Sequence, residues 1–265
     1  GFIHYPRLYP TLNRWYHTLT YRYSVKRAHH IVTISEFTKA DILKDMPTLD
    51  KKNISVIYHG VDKELFRPLV NSDSTSYRDK YGPYILFVGR LEYKKNVNRM
   101  VKAYIQLRAK YPKILHRLVL AGKPKYGFNQ VEKIISRAPA NIARGIIFTG
   151  YLASEEIPKI MREADLFLFP TLFEGFGMPV LEAQASGVPV ITSNTSALPE
   201  ISGDAAVHVD PTDTREIMTA CHKVITDRKL HKTLQAKGMK HVRHFTWEKA
   251  GRQTLDILLR AAQNE

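Results

Sequence analysis

The sequence predicts an α/β protein whose main body is a doubly wound parallel sheet. Two observations carry this. Short, β-rich, largely apolar runs alternate with stretches of helical period along most of the chain, the order that builds a parallel sheet with crossover helices. The runs lack polar alternation, so they suit strands covered on both faces. The composition, 44% hydrophobic and 25% charged over 265 residues, supports one large core or two smaller ones and excludes a disordered chain.

Two strands come first, HHIVTI (29–34) and NISVIYHG (53–60), with the helix SEFTKADILKDM between them. The segment DKELFRPLVNSDSTSYRDKYGP (62–83) is polar, rich in turn formers and without period, and reads as a linker. Six strands follow: YILFVG (84–89), RLVLAG (117–122), IIFTG (146–150), LFLFP (166–170), VPVIT (188–192) and AVHVD (206–210). Between them, Val97, Met100, Val101, Tyr104 and Ile105 keep the spacing of a one-sided helix, and Ser154 reads as the cap of a helix containing EEIPKIM. FTWEKAGRQTLDILLRAA (245–262) is a long amphipathic helix. This divides the chain into residues 1–61, a linker 62–83, a main domain 84–242 and a helix 243–265 that returns towards the first part. Sixty residues are too few for a complete α/β domain, so 1–61 is expected to be the tail of one, and Gly1 in place of a methionine agrees with this.

Lys and Arg outnumber Asp and Glu by 40 to 25, so the surface should attract anions: nucleic acid, anionic lipid or phosphorylated ligands. The cations are scattered and no nucleic-acid-binding motif accompanies them, which argues against nucleic acid. Cys221 is the only cysteine, so no intrachain disulfide forms and a reducing, cytoplasmic setting is expected. No apolar run approaches the ~20 residues of a membrane span, and Gly-Phe-Ile-His is no signal peptide. Residues 1–35 nevertheless hold five Lys or Arg, no acid, and the aromatics Tyr5, Tyr9, Trp15, Tyr16, Tyr21 and Tyr23. Such a segment suits either the anionic face of a membrane, where the protein would be peripheral, or packing against further protein.

In a doubly wound sheet, ligands bind beyond the carboxyl ends of the strands. FVGRLEYKKN leaves a strand at Gly89 and presents Arg90 and Lys95 just before a helix, a combination suited to a diphosphate. FPTLFEGFGMPVLEA leaves another strand and enters a helix with Pro179 in its first turn, where a missing N–H costs nothing. The amides of Gly175, Phe176, Gly177 and Met178 should then project from the helix start. Helix-dipole compensation accounts for an acid inside the helix, but not for Glu174, which precedes it. Ionised carboxylates accept from paired hydroxyls. Glu174 and Glu182 therefore suit two different diols, with Arg90 and Lys95 gripping phosphates between them: a nucleotide sugar.

At these residues the sequence resembles the retaining glycosyltransferases of the GT-B fold, the family 4 group that includes many mannosyl- and glucosyltransferases. TISEFTKADI, VIYHGVDKELFRP, ILFVGRLEYKKNV, LAGK, FTGYL, ADLFLFPTLFEGFGMPVLEAQASGVPVITSNTSALPE, DAAVHVDP and FTWEKAG stand in the family's order across nearly the whole chain. The resemblance implies two Rossmann-like domains with the donor between them. It gives the donor sugar to Glu174 and the amides of Gly175 to Met178, the ribose to Glu182, and the diphosphate and leaving-group charge to Arg90 and Lys95. Gly122, Lys123, Gly150 and Tyr151 would lie near the base. Arg90, Lys95 and Glu174 are thus the expected catalytic residues. The donor would be GDP-mannose or a UDP-hexose, the acceptor a saccharide or a lipid-linked sugar, and no cofactor is implied.

No metal is expected, because Asp-x-Asp is absent and the eleven histidines show no ligand spacing; His241 and His244 read as a solvated helix end. The family's catalytic-pocket histidine is expected before residue 1, with His4 as the alternative. On this reading the chain binds donor but transfers little sugar alone, and the apolar face of its last helix, with Phe245, Trp247 and Leu255, is exposed or covered by a second copy. The competing classes are a catalytically silent nucleotide-binding module and a basic nucleic-acid-binding domain.

Overall fold

A computed structural model describes residues 11–70, 73 and 76–263. The chain starts with helix α1 (Thr11–Arg27), then strand β1 (Ile31–Thr33), helix α2 (Glu36–Asp45) and strand β2 (Ile54–Val56). The two strands pair in parallel, Ile31 opposite Ile54, with α2 as their crossover. The start of α2 is closed twice over. The Ser35 hydroxyl accepts from the Thr38 amide, and the Glu200 carboxylate accepts from the amides of Glu36 and Phe37, so its first three amides are satisfied.

The segment 62–83 is more ordered than its composition suggests. Phe66 is buried, Arg67 makes a two-pronged ion pair with Asp73, and helix α3 (Ser76–Tyr81) buries Tyr81. A period needs several turns to show in a sequence, and one short helix supplies too few.

The main body then alternates. Strand β3 (Tyr84–Val88) leads to α4 (Val97–Lys110), β4 (Arg117–Ala121), α5 (Phe128–Ile135), α6 (Ala140–Ala143) and β5 (Ile146–Gly150). Next come α7 (Ile157–Arg162), β6 (Leu166–Phe169), α8 (Met178–Ala185), β7 (Val190–Ser193), α9 (Leu198–Ser202) and β8 (Val207–Val209). The chain ends in α10 (Thr214–Thr226), α11 (Arg228–His241) and α12 (Trp247–Gln263). The six strands form one parallel sheet in the order β5-β4-β3-β6-β7-β8. One helical layer gathers α4, α5, α6 and α10, and the other α7, α8, α9 and α11. Ile85, Leu86, Phe87, Leu118, Val119, Leu120, Phe167 and Leu168 are all buried between these layers, which explains their unbroken apolar runs.

The strand order reverses between β3 and β6: the chain winds outwards through β4 and β5, then restarts at β6 and winds the other way. A crevice opens where connections part in opposite directions, so this fold places a binding site at the carboxyl ends of β3 and β6. A second, smaller core lies beside that point. It combines Val61, Phe66, Phe176, Leu181, Ala197, Ile201, Val242 and Phe245, with Ile34, Phe37 and Tyr58 packed on it. The β1–α2–β2 unit is thereby joined to the turn before α8, and the Val61 amide donates to the Phe245 carbonyl, which ties the start of α12 to the same unit.

Three expectations need correction. Helix α7 begins at Ile157 after Glu156, with Pro158 in its first turn and no side-chain cap; Ser154 lies in the preceding turn. His241 is not a solvated helix end, because its Nε2 meets the Ile201 carbonyl at 2.8 Å and its ring packs on Phe245, whereas His244 is exposed. Phe245 belongs to the second core and is buried, leaving Trp247 and Leu255 exposed. His4 lies outside the described residues.

Candidate functional site

The loop after β3 is shaped by Asn96. This residue is fully buried in the left-handed region (φ 62°), which asparagine tolerates better than most residues. Its Nδ2 donates to the carbonyls of Pro170 (2.8 Å) and Pro211 (2.6 Å), and its Oδ1 accepts from Arg99. Together with the Leu172 amide on the Lys94 carbonyl, these bonds lock the loop after β3 to the loop after β6. Lys95, one residue before Asn96, is held across the gap. It forms an ion pair with Glu174, and its Nζ stands 5.3 Å over the Phe169 ring.

The loop after β6 turns at Glu174, whose amide donates to Ser196 Oγ at 3.2 Å. Gly177 precedes α8 with φ 107°, a conformation closed to most side chains, and a Cβ there would come within 2.7 Å of Leu198. Pro179 stands in the first turn of α8, as the sequence predicts. Among the described residues, the amides of Gly175, Phe176, Gly177 and Met178 donate to no protein acceptor. A helix start with free amides carries a partial positive charge and attracts anionic or oxygen-rich groups.

Glu182 follows in the second turn of α8. Among the described residues its carboxyl has no hydrogen-bond partner, and burial alone pushes its pKa up from the usual carboxylate value to about 7. A carboxyl raised by burial with no partner to offset it is costly in a folded protein, and such groups cluster at functional sites.

Arg90 takes a different direction from Lys95. It is exposed, and it lines a cleft of about 410 Å³ with Gly89, Gly122, Lys123, Tyr151 and Ile157 at the carboxyl ends of β3, β4 and β5. The walls approach closely here: the Gly122 amide donates to the Gly150 carbonyl at 2.9 Å, and a Cβ on Gly122 would lie 1.9 Å from the Gly89 carbonyl oxygen. Lys123 Nζ stands 4.9 Å over the ring of Tyr151, which is exposed. The sequence-selected residues therefore form two groups: Lys95, Glu174 and the turn to Met178 around the β3/β6 switch point, and Arg90, Gly89, Gly122, Lys123, Gly150 and Tyr151 around the cleft beside it. Among the described residues, no three His, Cys, Asp or Glu side chains are grouped so as to hold a metal ion.

The model of glycosyl transferases group 1 matches residues 73–241, more than half of the chain. The chain belongs to this family. The glycosyltransferase family 4 model matches residues 2–65. Among similar group 1 proteins, the O-antigen chain mannosyltransferase B of Escherichia coli is 27% identical over 88% of this chain and 61% of its own length. A serotype-specific mannosyltransferase of the same organism is 30% identical over 71% of this chain and 23% of its length. The chain thus spans less than two thirds of the length of these relatives. The C-terminal domain of a group 1 glycosyl transferase from Francisella tularensis is 30% identical with a TM-score of 0.61, covering 70% of this chain and 97% of that domain. The Anabaena protein solved with UDP and glucose matches with a TM-score of 0.81 at 19% identity, over 96% of this chain and 69% of its own. These likenesses establish the GT-B architecture.

Sequence reasoning missed the residues that hold the site from outside it. Asn96, Ser196 and Glu200 stand within or beside recognised motifs, but the partners that tie them across the fold are 74 residues or more, 22 residues and over 160 residues away. Ser35 and Asn96 carried a local signal, as residues before a helix.

Proposed function

We propose that the chain binds a nucleotide-sugar donor and serves a retaining, metal-independent hexosyl transfer. One observation carries the reading: four amides without acceptors among the described residues, flanked by Glu174 and Glu182, lie at the β3/β6 switch point with Lys95 paired to Glu174 and Arg90 in the adjoining cleft. In this reading Glu174 and the turn amides take the sugar hydroxyls, Glu182 the ribose diol, and Arg90 and Lys95 the diphosphate. The acceptor oxygen attacks the anomeric carbon on the face from which the phosphate leaves. The bond from that carbon to the phosphate oxygen breaks with its electron pair on the oxygen, and the acceptor proton passes to the departing phosphate. Arg90 and Lys95 neutralise the charge gathering there, so the protein's contribution is electrostatic, not covalent.

The mannosyltransferase relatives favour GDP-mannose, while the Anabaena protein's UDP favours a UDP-hexose. Calorimetric titration with GDP-mannose, UDP-glucose, GDP and UDP tests the reading. Binding of one nucleotide sugar and its diphosphate is expected; binding of none overturns it.

The exposed stripe Leu12, Trp15, Tyr16, Leu19 and Tyr23 on α1, in a helix with Arg22, Lys26 and Arg27 and no acid, supports a peripheral position at an anionic membrane and hence a lipid-linked acceptor. No helix among the described residues is long and apolar enough to cross a membrane. Exposed Leu255, Leu258 and Leu259 on α12 support self-association. Flotation with anionic and neutral vesicles, and sedimentation of the chain alone, test these two surfaces.

A further inference from the structure

The carbonyl of Gly175 points away from its own domain. Ser35 Oγ lies 2.7 Å from it and Thr38 Oγ1 3.2 Å, both at the start of α2. The two hydroxyls are themselves 2.8 Å apart, and the Ser35 oxygen also accepts from the Thr38 amide. Each hydroxyl has one proton. If Ser35 gives its proton to Thr38, then Thr38 is left to donate to the carbonyl; otherwise Ser35 donates directly. Every consistent arrangement delivers an O–H to Gly175.

A trans peptide is planar, with its C=O and N–H pointing in opposite directions. Gly175 and Phe176 share one peptide, so a carbonyl held towards α2 turns the Phe176 N–H away from α2. That amide is one of the four without a protein acceptor. The Phe176 side chain is pinned as well, buried against Tyr58, His59 and Phe245. Glycine at 175 leaves the peptide free to rotate unless something outside the turn holds it. Glu200 anchors the hydroxyls in turn, because its carboxylate accepts from Glu36 (2.7 Å) and Phe37 (3.0 Å) and fastens the start of α2 to α9.

We propose that Ser35 and Thr38 are positioning residues for the donor sugar: the β1–α2 unit aims the Phe176 amide of the donor turn. This rests on the nucleotide-sugar reading above. It makes the sugar, not the nucleotide, the part of the donor that senses α2.

The test is the Ser35→Gly/Thr38→Val variant, which removes both hydroxyls while glycine still serves at a helix cap with little loss. Affinity for the intact nucleotide sugar should fall on the order of tenfold, the usual effect of one lost hydrogen bond, while affinity for the matching diphosphate stays unchanged. The Phe176 amide resonance should shift in the same variant. Ser35→Thr in the Thr38→Val background retains a donor and should restore both. Equal losses for the two ligands, no loss for either, or an unmoved Phe176 resonance overturns the assignment. If the unaltered chain binds neither GDP-mannose, UDP-glucose, GDP nor UDP, the functional reading itself falls.

Discussion

The two ends of the six-stranded sheet treat their polar groups in opposite ways. At the amino ends, Asp165 accepts from the Tyr84 amide and from Arg78, both at 2.9 Å, and stands 3.7 Å from His116 Nε2, while its carbonyl meets His231 at 3.0 Å. Beside it, Glu163 is buried and accepts from the Arg78 amide. At the carboxyl ends, Glu182 and the amides of Gly175 to Met178 have no protein partner among the described residues. Both ends are charged, and composition does not tell them apart. The difference teaches that ionised groups closed by protein partners serve the architecture, whereas a carboxyl and a run of amides left open at a crevice are candidates for a ligand.

The largest effect should come from breaking the closed end. Asp165→Ala takes the acceptor from the buried Tyr84 amide and from Arg78 and should cost about 3 kcal/mol of unfolding free energy, since two donors lose their partner together. Denaturant unfolding measures this, and diphosphate affinity of the folded variant should not change.

At the open end, Arg90→Ala and Lys95→Ala should each weaken diphosphate binding by about 1.5–3 kcal/mol; the exposed Arg90 should leave the unfolding midpoint near that of the parent chain, whereas Lys95→Ala also lowers it by leaving Glu174 unpaired. Calorimetry at two salt concentrations would add the expected loss of affinity at high salt. Wild-type affinity in both variants would return these cations to an ordinary solvated loop.

Glu182 supplies a smaller, pH-dependent term. Its folded pKa of about 7 lies above the unfolded carboxylate value, so the folded chain holds the extra proton between the two. Its contribution to folding therefore becomes less favourable as pH rises through that window, and is relieved as pH falls towards the unfolded value. Diol hydroxyls donate to the ionised form, so ligand binding should run the other way. Diphosphate affinity is expected to rise about tenfold from pH 6 to pH 8, as the ionised fraction rises, and Glu182→Gln should flatten the profile and weaken binding. Glu174→Ala should spare the diphosphate and weaken only the intact nucleotide sugar, because its carboxylate is assigned to the other diol.

The smallest effect sharpens the boundary of the open end. Ser154 lines the cleft but caps no helix, so Ser154→Ala should change stability by less than about 0.5 kcal/mol. Asp213→Ala, which removes two amide partners at the start of α10, should cost about 1 kcal/mol. Thermal unfolding of the pair would show whether cap geometry, not residue type, decides the loss.

Much of this arrangement was legible from sequence alone, for reasons that differ by element. The six apolar runs of the sheet were readable because strands buried on both faces cannot hide among polar residues. Gly177, Pro179 and the two glutamates were readable because a strand-to-helix turn with an acid before it has few other uses. The helix in 76–81 was not, and neither was the true start of α7 after a serine that looks like a cap, since one turn of helix leaves too short a pattern. His241 looked solvated because its acceptor, the Ile201 carbonyl, lies forty residues away.

The sequence by itself determined the alternation of strands and helices, the buried faces, and the residue types collected at the turn before α8, because those depend on local period and on chemistry that each residue carries with it. Only the tertiary structure decided that Lys95 meets Glu174, that Arg90 turns instead into the neighbouring cleft, that Glu182 is half-buried without a partner among the described residues, and that Ser35 and Thr38 reach Gly175 across 140 and 137 residues. The physical reason is that pairing, burial and the direction of a peptide plane are properties of neighbours in space, and in a parallel sheet those neighbours come from distant parts of the chain.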